Sequence, residues 1–507
     1  MIKRRVLLPL GVALAVLAPI PALAGDGDGT EGVHGRSGIV SVNVTRVESL
    51  GAFGGAQYER LAGTVSGTVS GREPVAGLDS VIGADGTFSY TSGFELIRPV
   101  RPSGRSEVVV EAENRGMPVM FGNLNSFGTP AGPPQDVSYP AGLGNGFLFQ
   151  GGRSYARVQW QTGISPGVPA TAQGVGQVIV RDFGRLLRDG RLGDTPSVLG
   201  AYRYRILVGW SQAAWFVTSL VAEGFNDADG QVFQGAFAQD GVGNQLALNA
   251  VAASDGGPQQ AYLRPDGVPL TPRQVLRRPK TDPAFVDVAA YTDYYRLRAS
   301  ISRQADAANG YYRYDWPAAH APVLVPAAAA FVFQQSGCNN GQVIPLNAID
   351  SRPYGRALLV ALERRLGING PRVAMPAERM FTAGAQPADP ALLNGLPRDP
   401  VSVPQVDTDG FPLGGVHFPA AGLPLGSPVP PALTPVSTAS ITAICGNFGG
   451  WHPFTASQLA QRYGSLDQYR ASYDAQITRL VNGGLLLDGD RQTLLDQAAA
   501  DWSNAPA

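Results

Sequence analysis

Two cysteines, four histidines and no excess of basic charge in 507 residues already exclude several classes of function. Cys338 and Cys445 stand far apart, outside any C-x-x-C, and no histidine spacing completes a zinc site. The formal net charge of −1 becomes more negative once Lys3, Arg4 and Arg5 are set aside, so no basic face is available for nucleic acid. Beyond the first residues no apolar run is long enough to span a membrane, and Ala321 to Phe333 is too short. Cofactor signals are missing too. Gly142-Leu143-Gly144-Asn145-Gly146 lacks the strand, helix and acidic residue of a dinucleotide site. Asp227-Ala228-Asp229-Gly230 and Asp407-Thr408-Asp409-Gly410 begin like calcium loops without reaching the glutamate at the twelfth position, and read as turns. No cofactor or metal is expected.

What is present starts with a basic segment, an apolar stretch from Val6 to Ile20 and Ala22-Leu23-Ala24, the pattern of a cleavable export signal over residues 1–24. A periplasmic or secreted chain is expected, with 25–37 as a flexible leader. In such an oxidising compartment Cys338 and Cys445 are expected to form a disulfide, worth on the order of 4 kcal/mol in the chain-entropy view. The 64 glycines and 41 prolines indicate many loops. One domain is expected over 38–507: a β-rich part to 145, a catalytic core over 146–335, and a C-terminal extension from 336 with a Pro/Gly-rich loop at 384–436.

Within the first part, 39–44, 63–69, 86–90 and 106–110 alternate at period two between glycine-rich turns, as strands extending one edge of a sheet do. From Phe147 strands alternate with helices: a strand at 155–160, a helix over 174–187, a strand at 284–290 and a helix over 354–366. The alternation predicts an α/β fold with a mostly parallel sheet flanked by helices. Helices are predicted over 459–482 and 488–499.

The chemistry concentrates at Gly209-Trp210-Ser211-Gln212-Ala213, between a strand ending Ile206-Leu207-Val208 and an apolar helix from Ala213 to Ala222. This is close to G-x-S-x-G, in which small residues let strand and helix approach while the serine Oγ is held out at the sheet's carboxyl edge. A serine needs a base, and the base an orienting carboxylate. By position His320, after the strand-like Tyr311 to Trp316, suits the base best, with His452 and His417 as alternatives; His34 precedes the serine. Asp293, just beyond the 284–290 strand, suits the acid, with Asp287 and Asp306 as competitors. Trp210, Trp215, Tyr291, Tyr294 and Tyr295 could line an apolar pocket or belong to the core.

The chain resembles the large exported bacterial alpha/beta hydrolase domain proteins from about Ile39 to the C-terminus. The resemblance is carried by Tyr58-Glu59-Arg60-Leu61-Ala62-Gly63, Glu113-Asn114-Arg115-Gly116, Gly209-Trp210-Ser211-Gln212, Glu223-Gly224-Phe225-Asn226-Asp227, Val232-Phe233-Gln234-Gly235, Thr292-Asp293-Tyr294-Tyr295 and Gln461-Arg462-Tyr463-Gly464-Ser465. It implies the α/β-hydrolase fold and the triad Ser211, Asp293 and His320, and it places His417 and His452 in a non-catalytic tail. Relatives have Gly-Arg where this chain has Ala214-Trp215, and Glu where it has Asp293. The implied reaction is acyl transfer from a small-molecule or polymer ester to water. Oxyanion donors are expected from the N–H of Gln212 and from the loop after the Trp160 strand, at Gln161. A catalytically silent binding protein and, less favoured, an amidase or peptidase are the alternatives. Substrate identity and oligomeric state are not legible.

Overall fold

Alternating side chains over Gly38–Phe53 (β1) and Ala56–Ser70 (β2) build one long antiparallel hairpin, closed by Gly54 and Gly55 at φ of 55° and 83°. The strands are much longer than the short runs at 39–44 and 63–69 suggest, because register shifts near Ile39, Val44 and Ser49 absorb the breaks in alternation. The computed structural model describes residues 36–101, 106–126, 143–249, 269–302, 308–320, 345–347, 349–384, 402–430 and 449–507. The segment expected to direct export, His34, Asp306, Cys338, Cys445 and much of the 384–436 loop lie outside these ranges.

The hairpin continues into Thr87–Pro99 (β3), Glu107–Glu111 (β4), Ser154–Val158 (β5), Tyr204–Trp210 (β6), Gly235–Gln239 (β7), Ala284–Ala290 (β8) and Tyr311–Trp316 (β9). Together they form a nine-stranded sheet in the order β1-β2-β3-β5-β4-β6-β7-β8-β9. The pairs from β1 to β5 through β3 are antiparallel, and all pairs from β5 to β9 are parallel. β4 and β5 are therefore crossed relative to the sequence.

Each face of the sheet carries its own apolar layer. In β6, Leu207 packs with Val175 to Leu187 of Val175–Asp189 (α2) and with Gln212–Ala222 (α3), whereas Ile206 and Val208 pack with Val119–Leu124 (α1) and Arg352–Leu366 (α4). The parallel strands are apolar on both sides because helices cover both. The C-terminal helices Ala456–Tyr463 (α5), Leu466–Asn482 (α6) and Arg491–Ser503 (α7) add to the second layer through Tyr463, Tyr469, Tyr473, Ile477, Leu494 and Ala498. The single helix expected over 459–482 is two helices. Gly464, at φ 79°, breaks it, and Ser465 starts the next with a capping box to Gln468.

One row of side chains on the second face is charged. Arg60 on β2 donates from Nε to Glu95 on β3 at 2.8 Å, and Arg157 on β5 donates from Nε to Glu95 at 2.6 Å and from Nη1 to Glu113, just beyond β4, at 2.7 Å. The four are nearly solvent-free, so the charges are sustained by one another. Among the described residues no helix is long and apolar enough to cross a membrane.

Candidate active site

Ser211 stands between β6 and α3 with φ 55° and ψ −120°, a conformation that a non-glycine residue adopts only under constraint. Strand and helix meet so closely that a Cβ on Gly209 would lie 2.5 Å from the Ala213 carbonyl oxygen, so glycine is required there. Alanine serves at 213, where the motif ordinarily has a second glycine. The Ser211 N–H donates to the Gln239 carbonyl at 2.9 Å, which fixes the turn to the end of β7.

The sheet brings the expected partners to this turn. β8 ends at Ala290, and Asp293 opens the short helix that follows, its Oδ2 accepting from the Ala290 N–H at 2.9 Å. His320 follows β9, and its N–H donates to Thr292 Oγ1 at 2.8 Å. From there the imidazole reaches both neighbours, with Nδ1 2.6 Å from Asp293 Oδ1 and Nε2 2.7 Å from Ser211 Oγ. Donation from Nδ1–H to the carboxylate leaves Nε2 as the acceptor for the serine hydroxyl. All three residues are buried, Ser211 being the most exposed at 7%.

Other expected residues are placed elsewhere. Asp287 is bound to Arg313 at 2.6 Å, Tyr311 Oη at 2.8 Å and the Val242 N–H at 3.0 Å, a structural set of partners. His417 and His452 are exposed, the latter in the short strand Gly450–Pro453. Trp215 is buried in the core, and Tyr291 and Tyr295 share a hydroxyl contact at 3.1 Å. Trp210 does belong to the site, its ring centroid 5.2 Å from that of His320.

Of the two expected oxyanion donors, Gln212 begins α3, where the first N–H groups have no partner within the helix and the helix dipole is positive. Gln161 differs. It follows β5, and β4 lies between β5 and β6, so the loop adjoining the serine turn is the one after β4. Gln161 closes a local turn instead, its carbonyl accepting from Ile164 and Ser165 at 3.1 and 2.8 Å. The loop after β4 folds as a tight turn in which Asn114 and Met117 exchange backbone hydrogen bonds, with Arg115 and Gly116 at positive φ. Asn114 Nδ2 donates to the Trp210 carbonyl at 3.0 Å and ties this turn to the residue before the serine.

Residues that sequence reasoning missed are Asn114, Thr292 and Asp240. Burial, and next the negative charge of Asp293, push the Asp240 carboxyl well above the usual carboxylate range. Burial also pushes Glu113 up to about 7 despite Arg157, and Glu111 up to about 8 despite donors from Tyr155, Met120 and Phe121. Among the described residues no group of three or more His, Cys, Asp or Glu is arranged to hold a metal ion.

A turn of this kind, a serine in left-handed geometry between a parallel strand and a helix with a histidine at hydrogen-bond distance, agrees with the match of residues 148–496 to a family described as Alpha/beta hydrolase domain. The chain belongs to that alpha/beta hydrolase domain family. No curated protein matches it. Solved structures similar to this family member include a mutant of the rice cell wall degrading esterase LipA from Xanthomonas oryzae, at 14% identity over 40% of this chain and 49% of that one, with TM-score 0.23. A glucuronoyl esterase from Teredinibacter turnerae is similar at 12% identity over 52% of this chain and 63% of that one, with TM-score 0.26. A further structure of LipA from Xanthomonas oryzae is similar at 13% identity over 55% and 90%, with TM-score 0.30. The chain thus spans less than two thirds of the length of the first two.

Proposed function

We propose that this alpha/beta hydrolase is a serine carboxylic-ester hydrolase working through an acyl-enzyme on Ser211. The observation that carries the reading is the continuous hydrogen-bonded chain Asp293, His320, Ser211 at 2.6 and 2.7 Å, with the serine on a strained turn. Ser211 Oγ attacks the ester carbonyl while His320 Nε2 takes its proton. Asp293 holds the imidazole tautomer and stabilises the imidazolium, which then protonates the leaving alkoxide. Water, deprotonated by the same nitrogen, attacks the acyl carbonyl and releases the acid.

The tetrahedral oxyanion is to be met by the N–H of Gln212 and by one from the turn after β4, where Arg115 and Gly116 are the candidates. This replaces Gln161 in that role. Asp293 is one carbon shorter than the glutamate of related chains; its placement at the first turn after β8, close to Thr292 and Ala290, suits the shorter reach.

We also propose that the chain is exported through the segment 1–24 to the periplasm or the medium, and that Cys338 and Cys445 pair there. The enzymatic reading is tested with p-nitrophenyl acetate and butyrate. Turnover by the purified protein should be lost in Ser211→Ala, and turnover that persists in that variant would overturn the proposal.

A further inference from the structure

We propose that Asp240 is a positioning residue of this site, acting through the indole of Trp210 to hold the His320 imidazole in line between Ser211 and Asp293. The proposal rests on the esterase reading above and concerns a carboxyl group that the mechanism does not use.

Asp240 is the first residue beyond β7, immediately after Gln239, whose carbonyl accepts the Ser211 N–H. It is 1% exposed, and its Oδ2 accepts from Trp210 Nε1 at 2.7 Å. The indole is thereby fixed at its far end, while the carbonyl of the same residue is fixed by Asn114. Between these two ties its ring rests on the imidazole of His320, centroids 5.2 Å apart and planes at 44°. A ring packed there limits rotation of the imidazole and keeps water from its face.

The backbone around Asp240 is held in a costly shape. Asp240 has φ 58°, Val242 φ 48° and Gly243 φ 72°, and positive φ at a β-branched residue is a marked outlier. The loop is pinned in this form by β8, through Asp240 N–H to the Val288 carbonyl at 2.9 Å and Val242 N–H to Asp287 Oδ1 at 3.0 Å. β8 is also the strand from which Asp293 emerges, so the loop registers the indole against the acid of the triad.

The groups that act most strongly on Asp240 are Asp293, the Trp210 indole, Gln239 and Asp287, and none of these four is a cation. An ionised Asp240 would place a second negative charge beside Asp293 in the same buried volume. Burial, and next the charge of Asp293, instead push the carboxyl well above the usual carboxylate range and so favour its neutral form. In its neutral form it accepts the indole N–H without competing with Asp293 for the imidazolium. An amide can do the same, and an alkyl side chain cannot.

Four variants test this: Asp240→Asn, Asp240→Ala, Trp210→Phe and the double variant Asp240→Ala/Trp210→Phe. Each is assayed for kcat, KM and the pH profile of kcat/KM, with thermal unfolding as a check of folding. Asp240→Asn should keep kcat within roughly threefold of the parent and leave the acid limb in place. Asp240→Ala and Trp210→Phe should each lower kcat by about tenfold with little change in KM, and the double variant should be no worse than either, because the two act as one unit. In Asp240→Ala and Trp210→Phe the acid limb should shift from the parent's, because the environment of the imidazole face has changed. Trp210→Phe keeps an aromatic ring and lacks only the N–H and the larger face, so it reads the tie even if Asp240→Ala fails to fold. An unmoved acid limb in Trp210→Phe, additive losses, or a collapse of activity in Asp240→Asn would each overturn the proposal. Ser211→Ala in the same assay separates this from the esterase reading itself: if Ser211→Ala still turns over, that reading has failed, whatever the Asp240 variants do.

Discussion

Asn114 lies in the turn after β4 and Trp210 ends the neighbouring parallel strand β6, and the side-chain amide of the first donates to the backbone carbonyl of the second at 3.0 Å. The turn after β4 and the serine turn after β6 are thereby one unit. If that turn supplies an oxyanion donor, loosening it costs transition-state stabilisation more than substrate binding. Asn114→Ala, and Asn114→Asp in which the donor is lost, are expected to lower kcat by about tenfold or more with KM nearly unchanged. Steady-state kinetics on a p-nitrophenyl ester measure this, and a loss confined to KM would remove the turn from the mechanism.

Asp293 accepts from His320 Nδ1 at 2.6 Å and from the Ala290 N–H at 2.9 Å. Asparagine at 293 can present an N–H to Nδ1 and so favour the tautomer in which Nε2 carries the proton, facing the serine as a donor. Asp293→Asn should therefore lower kcat by about 10³–10⁴ while the protein remains folded. A modest loss, within tenfold, would mean that a different carboxylate orients the histidine.

Two buried carboxyls, Glu113 in the charged row and Glu111 at the end of β4, make stability depend on pH in a definite direction. Burial pushes Glu113 up to about 7 and Glu111 up to about 8 in the folded protein, above the usual carboxylate range. A carboxyl raised by folding contributes stability that is full below its unfolded pKa and is lost as pH rises through its folded one. The thermal midpoint should accordingly fall between pH 5 and pH 9. Glu113→Gln removes the part of that fall lying between about 4.5 and 7, so its midpoint should vary less over that interval than the parent's. Equal slopes in parent and variant would contradict the assignment to Glu113.

The elements that place the site were largely legible because their signals are local. Small residues around Ser211, apolar strands on either side and a carboxylate just past β8 are read from adjacent letters, and the fold class follows from strands alternating with helices. The loop proposed to supply the second oxyanion donor was not legible. Nothing in Glu107–Glu111 or Ser154–Val158 tells that β4 and β5 exchange places in the sheet, so the loop after β5 and its Gln161 seemed the neighbour of the serine. Asp240 was hidden for a similar reason. Its partner Trp210 is thirty positions away, and only the parallel pairing of Trp210 with Gln239 brings the two together. The break at Gly464 was legible in retrospect, since Ser465 and Gln468 spell a capping box, but the apolar periodicity on either side masked it.

The most direct test of the central claim is the intact mass of the protein after exposure to a fluorophosphonate, with Ser211→Ala and His320→Ala treated alongside. An activated serine predicts a single adduct on the parent protein and none on either variant. No adduct on the parent, or an adduct that persists in Ser211→Ala, would contradict the account.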